Sequence, residues 1–244
     1  MEQITVIKIG GNVIDNAEAL ARFVERFAAL EGPKILIHGG GKLATRLAEQ
    51  MQVEVKMIEG RRITDRPTLD IVTMVYAGLV NKQIVATLQA AGCNAIGLSG
   101  ADGNIVRAHR RPATPIDYGY VGDIDGVDSR LLASLLEQGL TPVFSAIMHD
   151  GEGSLLNCNA DSVATAVALG AAVVAPTDLI FCFEKRGVLR DADDESSVIE
   201  RITAANYTAL KAEGAVKGGM IPKIENALKA VVHKKIRCSD LKSF

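Results

Sequence analysis

The first fifty residues repeat one pattern twice, and that repetition limits the fold more than any other feature. Residues 4–9 form an apolar, Ile/Val-rich strand that runs into Gly10-Gly11, and Lys34–His38 forms a second that runs into Gly39-Gly40-Gly41. Between them Leu20, Phe23, Val24 and Phe27 recur at helical spacing, and Asp15 with Glu18 has the pattern of a capping box. Gly32-Pro33 ends that helix, and Leu43, Leu47 and Met51 mark a second one. Strand, helix, strand, helix in this order calls for a parallel sheet with right-handed crossovers.

The rest of the chain extends the same plan. Val53–Thr64 alternates like a β-hairpin standing off the main sheet, and Pro67 opens a long helix with Leu69, Val72, Tyr76, Leu79 and Ile84 on one face, closed by Gly92. Asn94–Leu98 reads as a strand, residues 99–126 as turns and short strands, Ser129–Gln138 as a helix and Thr141–Ile147 as a strand. Asp161 is placed to cap an apolar helix, Asp178–Phe183 is a buried strand, and Ala204–Glu213 and Ile221–Val232 are helices. Lys235–Cys238 is a candidate for a last short strand. The expected fold is α/β: a three-layer αβα sandwich with a mainly parallel central sheet, in which residues 1–244 form one domain with two lobes.

Composition narrows the function classes. The 244 residues are 48% apolar and 23% charged with a net charge of −2, so no basic excess points to nucleic acid. Cys93, Cys158, Cys182 and Cys238 are scattered without a C-x-x-C pair, which argues against a zinc site and for reduced thiols. The longest apolar run, Val163–Pro176, is short for a membrane span, and no apolar leader precedes the first strand. The expectation is a cytoplasmic protein with no membrane partner.

Four polar clusters carry candidate chemistry. Lys8 lies inside an apolar strand two residues before Gly10-Gly11, where an ammonium is costly to bury without an anion; a lysine snorkelling from a sheet edge is the plain alternative. Three glycines at 39–41 exceed what a tight turn needs and suit backbone contact with a phosphate. Neither a Walker A loop nor G-x-G-x-x-G is present, which weighs against a dehydrogenase. Asn157-Cys158-Asn159-Ala160-Asp161 offers two amides and a carboxylate where a cap needs one, with Asn157 and Asn159 on one side of an extended segment. Lys223 follows Gly218-Gly219 in a helix's first turn, an adverse place for a cation unless an anion is near. Arg62, after Gly60-Arg61, suits bidentate binding of a carboxylate.

In order, Val-Ile-Lys-Ile-Gly-Gly, His-Gly-Gly-Gly, Gly-Arg-Arg-Ile-Thr, Leu-Asn-Cys-Asn-Ala-Asp and Gly-Gly-Met-Ile-Pro-Lys resemble the motifs of the amino-acid kinase family, from about residue 4 to about residue 232. Within it the chain is most similar to the branch that phosphorylates the γ-carboxylate of N-acylated glutamate with ATP and Mg²⁺. The resemblance implies that Lys8 and Lys223 stabilise the transition state and that Asp161 orients them. It assigns phosphate contacts to Gly10, Gly11 and Gly40, and acyl-glutamate contacts to Gly40, Gly41, Arg62, Asn157 and Asn159. Glu184, Gly187 and Lys217 fall at the nucleotide. It also implies an eight-stranded sheet, an N-terminal lobe (about 1–160) for acyl-glutamate, a C-terminal lobe (about 161–244) for ATP, and a homodimer without arginine feedback.

The chain departs from the family at Cys182-Phe183-Glu184, where Leu-Thr-Asp is usual, at Asp123 in place of Glu, and in an ending without the Gly-Thr-containing final strand. Acetyl is the default acyl group. N-succinyl-glutamate, another acceptor of the same family, and an inactive nucleotide- or amino-acid-sensing module stand as alternatives.

Overall fold

The computed structural model describes residues 3–58, 61–182, 187–191, 193–194, 196–216, 220–231 and 236–240. Among these, β1 (Ile4–Ile9), β2 (Lys34–His38), β5 (Ala95–Leu98), β8 (Thr141–Phe144), β11 (Thr177–Cys182) and β12 (Ile236–Asp240) build a six-stranded sheet in the order β12-β11-β1-β2-β8-β5. Every neighbouring pair in it is parallel. A second sheet orders β10 (Leu155–Asn157), β9 (Ile147–His149), β6 (Val106–Arg110) and β7 (Gly122–Val127), with two antiparallel pairs. The eight strands expected in one sheet are thus divided. The strand read as Thr141–Ile147 stops at Phe144, because the chain leaves the parallel sheet there and enters the second one at Ile147. Residues 57–58 and 61–62 form the small hairpin β3/β4, standing apart as expected. A final strand is present after all: β12 closes the parallel sheet beside β11.

Side chains alternate across each strand, so the sheet has two apolar faces. Ile4, Val6, Ile35 and Ile37 share one core with α6 (Ala160–Val174) and with Ala227 and Ala230 of α8 (Met220–Val231). Ile7, Ile9 and Leu36 share the other with α2 (Ala17–Ala29) and the long α4 (Arg66–Ala90). Helices on both faces of the parallel sheet make the three layers. α4 is long and apolar enough by length and composition to cross a membrane, but Leu69, Val72, Val75, Val80, Ile84 and Leu88 spend that apolarity in the core. Its middle, Thr73–Val80, is wound as a π-helix. Completing the elements are α1 (Gly11–Ile14), α3 (Gly41–Gln50), α5 (Ser129–Glu137) and α7 (Ala204–Ala212).

Two caps differ from expectation. Asn16, not Asp15, caps α2, accepting from Ala19 N at 3.0 Å. Asn159 caps α6 through Asp161 N and Ser162 N, both at 3.0 Å. Asp161 therefore lies one residue inside the helix, and its carboxylate is free for other partners.

Candidate active site

Alternation in β1 places Lys8 on the same sheet face as Ile4 and Val6, the face covered by α6 and α8. Those two helices present Asp161 and Lys223 to it. Lys8 Nζ lies 2.8 Å from one oxygen of Asp161, and Lys223 Nζ donates to the other at 2.8 Å. Lys8 and Asp161 are buried, while the Lys223 side chain keeps 26% exposure. Burial lowers the Lys8 pKa, with Asp161 opposing and Lys223 adding to the shift. Burial pushes the Asp161 carboxyl up, but the two ammonium groups outweigh it and hold its pKa below the usual value. Two cations thus share one anion, leaving a net positive charge at the carboxyl ends of the parallel strands.

Ligands of open α/β sheets bind at that edge, in the crevice where strand order reverses. Here β1 leads to β2 on one side and has β11 on the other. Gly10 and Gly11 follow β1 directly, and a Cβ on Gly10 would sit 3.9 Å from Lys8 Nζ. Gly40 has φ +154°, and a Cβ there would stand 3.0 Å from the Tyr76 ring, so no other residue fits without strain. The buried Tyr76 comes from the π-helical stretch of α4 and lies against Gly40 and Gly41.

Arg62 extends from the hairpin into the same region. Its Nη2 donates to Gly41 O at 3.1 Å and to Thr45 Oγ1 at 2.8 Å, while its Nη1 is buried with no hydrogen-bond partner among the described residues. A buried guanidinium nitrogen with its donors open is a receptor for an anion. Burial raises the Tyr76 phenol pKa against the opposing Arg62. Asn157, at the end of β10, donates from Nδ2 to Thr64 Oγ1 at 3.0 Å, and Thr64 Oγ1 donates to Arg62 O at 3.1 Å. The junction is tight: Gly119, at φ +71°, approaches so closely that a Cβ would lie 2.3 Å from Thr64 O.

The donor set also bears on metal. Among the described residues no group of three or more His, Cys, Asp or Glu side chains converges, and Asp161 is occupied by both lysines. These residues fit a Mg²⁺ carried on nucleotide phosphates rather than one caged by the protein.

The model of the Amino acid kinase family matches residues 3–239, nearly the whole chain. This chain belongs to the amino acid kinase family. It is 50% identical over 230 residues to an acetylglutamate kinase of Bacteroides fragilis, covering 94% of this chain and 88% of the relative. It is 51% identical to one of Phocaeicola vulgatus, covering 94% and 90%. The solved structure of smu.665 from Streptococcus mutans shares the fold at a TM-score of 0.82 and 30% identity, over 100% of this chain and 96% of that one.

Of the residues singled out from sequence, this amino acid kinase brings Lys8, Asp161 and Lys223 into one cluster, and Gly41, Arg62 and Asn157 into a second joined through Thr64. Asn159 is not with Asn157. Its side-chain oxygen caps α6 and the residue is exposed, because the chain turns into the helix between them. Gly187 is described, at φ +159°; Glu184 and Lys217 lie outside the described residues. Asp123 pairs with Arg111, which holds its carboxyl below the usual range. A cavity of about 530 Å³ lined by Arg190, Ile199, Arg201, Leu210 and Glu213 includes none of the residues around Lys8. Sequence reasoning missed Thr45 and Thr64, and it read Tyr76 only as core; a hydroxyl next to the glycines or the arginine carries no local signal of its own.

Proposed function

We propose that this chain uses ATP to phosphorylate the γ-carboxylate of N-acetyl-L-glutamate, giving N-acetyl-L-glutamyl 5-phosphate and ADP in arginine biosynthesis. The observation that carries the reading is the Lys8–Asp161–Lys223 cluster at the mouth of the parallel sheet, in a chain half-identical to acetylglutamate kinases. A carboxylate is already a nucleophile, so no general base is needed. One carboxylate oxygen forms a bond to the γ-phosphorus, the bond to the β,γ-bridging oxygen breaks, and ADP leaves with that electron pair. Negative charge on the transferring group and the leaving oxygen is met by the two ammonium groups and by the N–H groups of Gly10, Gly11 and Gly40. Asp161 holds the lysines in place and opposes the loss of charge that burial favours at Lys8. Mg²⁺ bound to the nucleotide neutralises phosphate charge.

In this reading Arg62 and Asn157 take the α-carboxylate, with Arg62 Nη1 as the open donor. Gly41 flanks the acceptor, and Asn159 contributes through its backbone and the helix cap. Residues up to about 160 receive the acyl-glutamate, and the remainder, with Glu184, Gly187 and Lys217, the nucleotide. Trapping the acyl phosphate with hydroxylamine tests the assignment, using ATP, Mg²⁺ and either N-acetyl- or N-succinyl-L-glutamate. Hydroxamate from the acetyl substrate is expected. Product from the succinyl substrate alone would reassign the acyl group, and none from either would overturn the kinase reading.

A further inference from the structure

His38 ends β2 immediately before the three glycines, yet its ring is fully buried. It lies on the Leu36 face of the sheet, where α4 packs, and there it meets Asn81. Asn81 Nδ2 is 2.9 Å from Val143 O, and Lys82 Nζ donates to Asn81 Oδ1 at 3.1 Å. A carbonyl on one side and an ammonium on the other permit a single orientation of that amide. Its nitrogen therefore also donates to His38 Nε2, 3.0 Å away, and Nε2 must carry the lone pair. The proton of the neutral ring then sits on Nδ1, which donates to Gly39 O at 2.8 Å.

This bond has a consequence one atom further on. The Gly39–Gly40 peptide is planar and trans, so its C=O and N–H point in opposite directions. Neither glycine has a Cβ to restrict that peptide, and Gly40 sits at φ +154°. We infer that His38 is a positioning residue: by holding Gly39 O, it turns Gly40 N–H away from the ring and toward the transferring phosphoryl group, with Asn81 fixing the tautomer that makes this possible. The inference rests on the phosphotransfer reading above, in which Gly40 N–H is a donor to that group. The buried ring touches no substrate.

Substitutions separate the two ring nitrogens. His38→Gln places an amide near Nε2 and only a methylene near Nδ1, whereas His38→Asn places an amide nitrogen near Nδ1. Asn81→Asp keeps the volume but offers Nε2 an acceptor, which favours the Nε2–H tautomer. Expected for His38→Gln is a kcat loss of about 30- to 300-fold, comparable with losing an oxyanion donor, with both KM values within about threefold. His38→Asn should recover at least about tenfold of that loss, and Asn81→Asp should fall as His38→Gln does. In the wild type, ¹⁵N-histidine NMR should show the Nδ1–H tautomer.

An Nε2–H tautomer in the wild type overturns the inference. So does kcat within threefold of wild type for His38→Gln or Asn81→Asp, or a His38→Asn no better than His38→Gln. If His38→Gln does not fold, Asn81→Asp and the wild-type tautomer decide. A wild type that makes no acyl phosphate would sink the kinase reading and this inference with it, and an intact Nδ1–H tautomer would then show that the His38 geometry was not at fault.

Discussion

Replacing Asp161 with Asn removes the anion that, among the described residues, lies between the two ammonium groups, and it nearly keeps the carboxylate's shape. At 2.8 Å the Lys8–Asp161 attraction amounts to about 6 kcal/mol for an effective dielectric near 20. Lys8 is 6% exposed and cannot recover that by hydration, whereas Lys223 reaches solvent. Removing one partner of a buried ion pair costs about 3–5 kcal/mol, which for a chain of this size lowers Tm by about 10 °C. The deficit also has a pH signature. In the variant, burial and Lys223 depress the folded Lys8 pKa further below its unfolded value near 10.4, so the unfolded state binds more protons between the two. Stability lost at pH 7 is therefore regained as pH rises toward 10. The chain has no tryptophan, so urea unfolding followed by circular dichroism between pH 7 and pH 10 is the suitable assay. Lys8→Met added to Asp161→Asn removes the stranded charge and should restore more than about 2 kcal/mol. A single variant within 2 °C of wild type at pH 7, with no rise in relative stability at higher pH, would refute the reasoning.

Other outcomes follow from the same geometry. Lys8→Ala should lower kcat about a hundredfold or more while circular dichroism shows an intact fold; an unchanged kcat would remove Lys8 from the chemistry. Arg62→Ala should raise the KM for acyl-glutamate about 30- to 100-fold and leave the KM for ATP within about threefold, measured by initial rates. Gly40→Ala places a methyl 3.0 Å from the Tyr76 ring at a φ that alanine rarely adopts, costing about 1–3 kcal/mol; Tyr76→Leu should return part of it in thermal melts. Burial depresses the His38 pKa from 6.5 to about 4, so the unfolded state takes up a proton first as pH falls. Wild type should lose about 2 kcal/mol between pH 7 and pH 5 relative to His38→Asn, read from urea midpoints at the two pH values.

The order of strands and helices was legible because burial imposes periodicity. Ile4, Val6, Ile7 and Ile9 in β1 and Leu69, Val72 and Ile84 in α4 declare their elements by spacing alone. Less visible was where a strand changes sheet. Thr141–Ile147 is buried throughout, and Phe144 and Ile147, which lie in different sheets, look alike in sequence. The misassigned caps have a similar cause. Asp15 and Asn16, or Asn159 and Asp161, are equally able to cap, and only the path of the backbone selects one.

Sequence alone determined that Lys8 and Lys223 would need an anionic partner, because each stands where a cation is unfavourable without one. It also nominated Arg62, Asn157 and Asp161. Tertiary structure decided the pairings. Strand parity turns Lys8 toward α6 and His38 toward α4, residues 8, 161 and 223 meet at one carboxylate, and Thr64 joins Arg62 to Asn157. Spacing along the chain records which face a residue takes. Which residue waits on that face depends on packing between segments far apart along the chain.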